Sequence, residues 1–142
     1  MRNPAILYPL VALAAWTLLV LLLIPFARVR SVRQREIGPD DFKYGESARV
    51  PGNVRIPNRN YMNLLELPML FYVVGIVLYV TGGASTLTIA IAWAFVALRV
   101  VHSLIHLTYN RVLHRLTAFT LSNVALVTLW VFAGAHLVAT SP

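Results

Sequence analysis

The chain has 142 residues, of which 58% are hydrophobic and only 12% are charged, and it carries a net charge of +7. A soluble domain usually has about 25% charged residues, so a soluble fold is excluded and a membrane protein with one domain over residues 1–142 is predicted. The absence of cysteine excludes disulfides, cysteine zinc sites and a protein thiol nucleophile.

The first predicted element is a hydrophobic run without charges, from Ala5 to Phe26. About 20 apolar residues span a bilayer, so this run predicts a transmembrane helix at about residues 5–28. It is longer than the roughly 7–15 residues of a signal-peptide core, and no cleavage site of small residues follows it. We therefore expect the helix to be retained.

A basic link, predicted at residues 29–58, follows the first helix. The lysines and arginines in the segment from residue 28 to residue 59 are Arg28, Arg30, Arg33, Arg35, Lys43, Arg49, Arg55 and Arg59. Connections longer than about 12–15 residues without secondary structure are usually functional or disordered. Two interpretations stay open, namely a cover over the mouth of a pocket and a simple linker.

Three more transmembrane helices are predicted at about residues 59–80, 86–108 and 116–139. The turn between the second and third helices has no lysine or arginine, whereas the third link holds Arg111 and Arg115. The positive-inside rule places both basic segments in the cytoplasm, and both termini on the periplasmic or lumenal side. The predicted fold is an all-α, integral-membrane four-helix bundle, and we expect the protein in a bacterial inner membrane.

The net charge has two interpretations, nucleic-acid binding and contact with anionic lipid. The basic residues cluster between the hydrophobic runs and form no stripe on a soluble domain. This placement favours topogenic charge that faces membrane lipids, and we predict no nucleic-acid partner.

Three of the predicted helices carry a polar stripe. Within each stripe the spacing places the residues on one helical face. The stripes are Arg59, Asn63 and Glu66 on the second helix, Arg99, His102, His106 and Asn110 on the third, and Arg115, Phe119, Ser122 and Asn123 on the fourth.

All three stripes fall in the predicted cytoplasmic half of the bilayer. An ionisable group there costs on the order of 3 kcal/mol, so the stripes need a reason. One interpretation is helix–helix contact in which Glu66 pairs with Arg99. The other is a shared polar cavity open to the cytoplasm, and the excess of basic groups over Glu66 suits a zwitterionic ligand with net negative charge.

His102 and His106 form an H-x-x-x-H pattern on one helical face. That spacing can bind a metal, with Glu66 as a third ligand. The neighbouring arginines would repel a cation, so we predict no metal.

These residues resemble the MAPEG family, the membrane-associated proteins in eicosanoid and glutathione metabolism. Arg59-x3-Asn63-x2-Glu66-x-Pro68 is similar to the family motif of the second helix. On the third helix, the pattern Arg99-x2-His102-x3-His106 is similar to R-x2-(H/Y)-x3-Y. Arg115 follows His106 where the prostaglandin E synthase branch has its catalytic arginine, and the wording around both motifs resembles bacterial members.

The resemblance implies a homotrimer that binds glutathione, as a co-substrate, between neighbouring subunits in the cytoplasmic half. It makes Arg115 the catalytic residue, which would stabilise the thiolate. The glutathione-binding residues that it implies are Arg28, Arg30, Arg59, Asn63, Glu66, Arg99, His102 and His106.

The reaction implied by the resemblance is that of a glutathione-dependent membrane transferase or peroxidase, whose second substrate is a lipophilic small molecule with an electrophilic centre. His106, Leu67 and Phe119 stand where branches of the family have tyrosines. These departures keep a second interpretation open, a non-catalytic subunit that binds lipid or serves as a scaffold in a larger membrane complex.

Overall fold

The computed structural model describes residues 2–34, 37–43 and 45–141, so Arg35 of the basic link lies outside the described residues. Within these ranges the chain is all-helical, which confirms the predicted class. Four helical segments are long and apolar enough to span a membrane: Pro4–Arg33, Gly52–Thr81, Thr86–Leu107 and Val112–Thr140.

The α-helices are α1 (Leu7–Arg33), α2 (Gly52–Leu65), α3 (Leu67–Thr81), α4 (Thr86–Leu107) and α5 (Val112–Thr140), with short 3-10 helices at Pro4–Ile6 and Pro39–Phe42. The structure thus extends α1, α2 and α5 beyond the predicted limits, and the link covers 34–51 instead of 29–58. The prediction followed apolar runs, whereas long arginine side chains allow a helix to continue into the polar interface. The link end of the bundle carries residues 34–51 and the α4–α5 turn at 108–111; the opposite end is called the turn end.

The second spanning segment is broken at Glu66, whereas the sequence predicted one helix at about residues 59–80. Glu66 has φ −72° and ψ −89°, so it separates α2 from α3. Pro68 has no N–H to donate to the carbonyl of Leu64, and this removes a hydrogen bond that a continuous helix would need. Glu66 therefore lies at the junction of two helices.

Aromatic and aliphatic side chains form the core of the bundle. The rings of Phe71 and Phe95 stack with centroids 4.4 Å apart and bind α3 to α4. Gly75 allows α1 and α3 to approach closely, because a Cβ at this position would lie 2.6 Å from Leu10 Cδ1. These contacts hold α1, α3 and α4 together toward the turn end.

The link packs against the junction of α1 and α2. Ile37, Val50 and Val54 form a small buried cluster there. The Asp41 carboxylate accepts hydrogen bonds from the Gly38 amide at 2.9 Å and from Ser47 Oγ at 2.7 Å. Hydrogen bonds from Ser47 and Gly38 lower the pKa of Asp41. The link is thus a folded segment with its own small core.

The turn end is fastened by two sets of contacts. Ser85 caps α4, since its Oγ accepts from the Thr88 amide at 3.2 Å. His136 Nε2 donates to the carbonyl of Thr81 at 3.1 Å. A Cβ on Gly83 would lie 2.7 Å from His136 Cδ2, so only glycine leaves room for this ring. As a result α5 is joined directly to the end of α3.

Candidate functional site

Two adjoining cavities lie among the polar stripes at the link end. The polar cavity, of about 300 Å³, is lined by Asn58, Arg59, Met62, Asn63, Glu66, His106 and Arg115. The mixed cavity, of about 220 Å³, is lined by Asn63, His102, Val112, Arg115, Leu116 and Phe119. Asn63 and Arg115 belong to both, so they form the wall that the two cavities share.

The α2 side of the polar cavity carries both signs of charge. Arg59 and Glu66 are exposed, and Asn63 between them is half-buried. Among the described residues, the ion pair that forms is Arg28–Glu46, and Glu66 forms none with Arg99. Pairing of Glu66 with Arg99 is therefore absent, and the carboxylate remains available to a cationic group.

Arg99 lies behind the cavities and supports the end of α2. It is 1% exposed, and its Nη2 donates to the Asn63 carbonyl at 3.3 Å. Its Cζ lies 5.2 Å from the centroid of the Phe119 ring and 5.7 Å from that of Phe95. A cation is favourable at a helix C-terminus, so Arg99 stabilises the break at Glu66. Within one chain it lines neither cavity, although the resemblance implies a contact with the ligand.

His102 and His106 face different cavities, His102 the mixed one and His106 the polar one. Their ring centroids are 6.2 Å apart. His102 Nδ1 lies 3.0 Å from the carbonyl oxygen of Arg115, which can only accept, so Nδ1 donates. Within the ranges the structure describes, no group of three histidine, cysteine or acidic residues is placed to hold a metal ion.

The α4–α5 turn positions Arg115. Asn110 has a left-handed φ of 48°, a conformation that asparagine tolerates better than most residues. Its amide donates to the Ile105 carbonyl at 2.8 Å, and its Oδ1 accepts from Arg115 Nη1 at 2.9 Å. Arg115 also lies in the first turn of α5, where free N–H groups add positive potential. The shared wall is therefore strongly electropositive.

Arg28 and Arg30, which the resemblance assigns to the ligand, lie elsewhere in the chain. Arg28 Nη2 is 3.5 Å from Glu46 Oε1, and its Cζ is 4.8 Å from the centroid of the Phe42 ring. Arg30 lines a separate cavity of about 410 Å³ between the end of α1 and the start of α2. No described residue of the link lines the polar or mixed cavity, so in one chain the link covers the α1–α2 junction instead.

One buried polar contact near the site was missed by sequence reasoning. Asn60 Nδ2 donates to Ser103 Oγ at 2.6 Å, and both side chains are 0% exposed. The available signal in the sequence was the position of Asn60, four residues before Leu64 and therefore on the same inward-packing face of α2. This contact joins α2 to α4 directly behind the polar stripe.

Similarity to known proteins identifies the family of this chain. No curated protein and no solved structure matches it. The sequence profile of the MAPEG family matches residues 6–135, from the start of the first spanning segment into α5. This range contains every residue that lines the two cavities. Because the match covers nearly the whole sequence, the chain belongs to the MAPEG family.

Proposed function

We propose that this protein is a glutathione-dependent membrane enzyme, a transferase or peroxidase that acts on lipophilic electrophiles. Membership of the MAPEG family supports the general class of reaction. The observation that carries the proposal is the pair of cavities that meet at Arg115, one polar and the other partly apolar. A thiol peptide and an apolar compound would thereby be brought together at one cationic side chain.

The polar cavity suits the charges of glutathione, which has two carboxylates, one ammonium and one thiol. Arg59 would bind a carboxylate, and Glu66 would bind the ammonium. Asn63 can both donate and accept hydrogen bonds toward the peptide groups. The surplus of cationic groups over Glu66 matches the net negative charge of the ligand.

The mixed cavity suits the second substrate. Val112, Leu116 and Phe119 provide its apolar surface, and Val112 and Leu116 are 64% and 54% exposed on the outside of the bundle. Because that outside surface faces lipid, an apolar compound would enter laterally. A free thiol is only a few per cent ionised at neutral pH, and Arg115 would stabilise the thiolate that attacks the electrophile.

The same proposal includes a homotrimer in a bacterial inner membrane, with the link end in the cytoplasm. The exposed Arg59 and Glu66 lie within a spanning segment, and lipid is a poor solvent for both charges. A neighbouring subunit would cover them. Arg28 and Arg30 of that neighbour would then join Arg59 in binding the carboxylates, although within one chain they lie apart from the polar cavity.

The test combines calorimetric binding of glutathione with turnover of a chromogenic electrophile in detergent micelles. Loss of a buried charge partner typically costs about 2–5 kcal/mol, so Glu66→Gln should weaken binding by roughly thirtyfold or more. Arg115→Ala should lower the rate on the order of a hundredfold while affinity stays within a few fold. Asp40→Asn, which removes a carboxylate of the link that lines neither cavity, is the matched control and should change neither.

A wild-type protein that binds no glutathione, and shows no turnover above the solution reaction with several electrophiles and peroxides, contradicts the enzyme proposal. The second candidate, a non-catalytic lipid-binding or scaffold subunit, would then replace it. A specific observation favours that candidate: an apolar cavity of about 360 Å³ lies between α4 and α5, with Leu98, Val101 and Ile105 in its wall. Purified protein that retains lipid and no thiol peptide would identify this outcome.

A further inference from the structure

The fold fixes which nitrogen of His102 carries the hydrogen. Nδ1 is 3.0 Å from the carbonyl oxygen of Arg115, and that oxygen can only accept. Nδ1 must therefore be protonated. In the neutral imidazole, which predominates near pH 7 in the unperturbed side chain, Nε2 then presents a lone pair. His102 is thus held in the tautomer that makes Nε2 a proton acceptor.

The acceptor nitrogen has no protein partner. Among the described residues, Nε2 of His102 is buried and forms no hydrogen bond, and the residue as a whole is 4% exposed. The great majority of buried polar atoms in folded proteins are hydrogen-bonded, so an unpaired one on a ring that lines a cavity points to a ligand. The ring lines the mixed cavity together with Arg115.

Base and cation are fixed relative to each other. The main chain of Arg115 orients the imidazole, while its guanidinium lines the same cavity and is held by Asn110 Oδ1 at 2.9 Å. The His102 ring also packs against Phe119, with centroids 5.7 Å apart. Arg115 thus orients the base through its carbonyl oxygen and supplies the cation through its side chain. A base and a cation fixed in this way are preorganised to ionise a weak acid.

We propose that His102 is the catalytic base that ionises the glutathione thiol, an inference that rests on the proposed function above. The S–H bond breaks, its electron pair stays on sulfur, and the proton passes to Nε2. Arg115 stabilises the resulting thiolate. The sulfur then forms a C–S bond with the electrophilic carbon, the leaving group departs with its electron pair, and the imidazolium returns the proton to water.

The other histidines lack this combination. His106 lines the polar cavity, but its buried Nδ1 has no partner among the described residues, so no carbonyl group fixes its tautomer. His114 is exposed and is hydrogen-bonded to the Tyr109 hydroxyl at 3.1 Å. His136 is at the turn end, where its Nε2 donates to Thr81. His102 is therefore the side chain to which we assign the base.

The test uses full-length protein in detergent and the variant His102→Gln. Glutamine keeps an N–H for the Arg115 carbonyl but has no basic nitrogen. Two quantities are measured: the ultraviolet absorbance of bound glutathione thiolate, and turnover of a chromogenic aryl halide. General bases typically contribute about 10²–10⁴-fold, so turnover should fall at least a hundredfold and the thiolate signal should disappear, with affinity within a few fold. His136→Gln is the matched control and should keep both signals.

A pH series separates a lost base from a damaged site. As the pH approaches the thiol's own pKa, solvent supplies thiolate without a base, so the deficit of His102→Gln should shrink. The charged or titratable groups that face His102 are Arg99 and His106 on α4 and Arg115 on α5. All three are unchanged in the variant. A deficit that is constant with pH would mean a structural role and would overturn the assignment.

The outcomes distinguish this inference from the function on which it rests. If wild type binds glutathione and turns over, and His102→Gln does the same with an equal thiolate signal, the base assignment is wrong and the proposed function stands. If wild type binds no glutathione, both are wrong. If His102→Gln does not fold, His102→Asn, which also retains an N–H donor, is tested against the same criteria.

Discussion

At the residue scale, the buried polar side chains near the site differ in what their hydrogen bonds do. Asn60 and Ser103 use their hydrogen bond to join α2 to α4. Arg99 and His102 each make one hydrogen bond while other nitrogens remain buried without a partner among the described residues. The Asn60–Ser103 bond stabilises the fold, whereas His102, which lines the mixed cavity, retains capacity for a ligand or for water.

The Asn60–Ser103 contact should be a measurable part of the stability. Ser103→Ala removes the acceptor that the buried Asn60 side-chain amide has among the described residues, and an unsatisfied buried group costs about 1–3 kcal/mol. We expect a lower thermal midpoint in detergent. The double variant Asn60→Ala/Ser103→Ala should be less destabilised than the sum of the single variants, because the two side chains interact directly. Additive effects would contradict a direct interaction.

Sequence periodicity predicted which polar residues share a face, but not which of them reach a cavity. Arg99, His102 and His106 recur on one side of α4, as their spacing requires. Whether Arg99 faces a cavity depends on the neighbouring helix, because Phe119 of α5 covers its guanidinium. One helix contains no information about the rotation of its neighbour, so this burial was outside the reach of sequence reasoning.

At the element scale, the break between α2 and α3 determines where the carboxylate of Glu66 lies. Pro68 was visible in the sequence, but one helix at about residues 59–80 was predicted. The sequence did not show that the break falls on Glu66, two residues before Pro68. That choice depends on Arg99, which donates to the last turn of α2 from another helix.

Replacing Pro68 should raise the stability of the protein and weaken glutathione binding. Pro68→Ala restores an N–H that can bond to the Leu64 carbonyl, so α2 and α3 can form one helix and Glu66 moves away from the cavity. We expect a higher thermal midpoint and weaker glutathione binding. Pro25→Ala is the matched control, since Pro25 lies inside the unbroken α1. Pro25→Ala should raise the midpoint and leave glutathione affinity unchanged. If the two variants bind glutathione equally well, the break at Glu66 is not required for binding.

The folded link should be sensitive to acid. Because its hydrogen bonds favour the ionised form, the pKa of Asp41 lies below its ordinary value of 3.8. Its contribution to stability is therefore complete above about pH 4 and is lost as the pH falls through the pKa of the folded state. We expect hydrogen exchange of the link amides, corrected for intrinsic rates, to increase in that range. Ser47→Ala should move the increase to higher pH, whereas Asp40→Asn should not.

At the scale of the whole molecule, hydropathy alone predicted the four spanning segments, because their apolar runs match the thickness of a bilayer. The extra turns of α1, α2 and α5 were not predicted, since they contain charged residues that leave the hydrophobic pattern. A shared polar cavity was one interpretation of the sequence, but its shape was not predicted. Their division into two compartments depends on Asn63 and Arg115, which come from different helices.

The subunit stoichiometry is the clearest prediction at this scale. Charged groups of α2 are exposed within a spanning segment, so a second copy should cover them. We expect a homotrimer by native mass measurement in mild detergent. The assembly should persist in Glu66→Gln, because that variant removes a ligand contact while the apolar surfaces remain. A species that is only monomeric or dimeric across detergents would contradict the trimer.

Both cavities open at the link end, which limits the membrane compounds that can reach them. Val112 and Leu116 are exposed at the start of α5, so the proposed lateral entry would occur from a single leaflet, whose apolar layer is about half of the roughly 30 Å core. A substrate with a charged headgroup in the opposite leaflet would first have to flip. In vesicles with uniformly oriented protein, turnover of such a substrate would therefore follow the side of addition, and a scramblase would abolish the difference. The leaflet that a compound occupies would then decide whether it reaches the cavities, whatever its chemical reactivity.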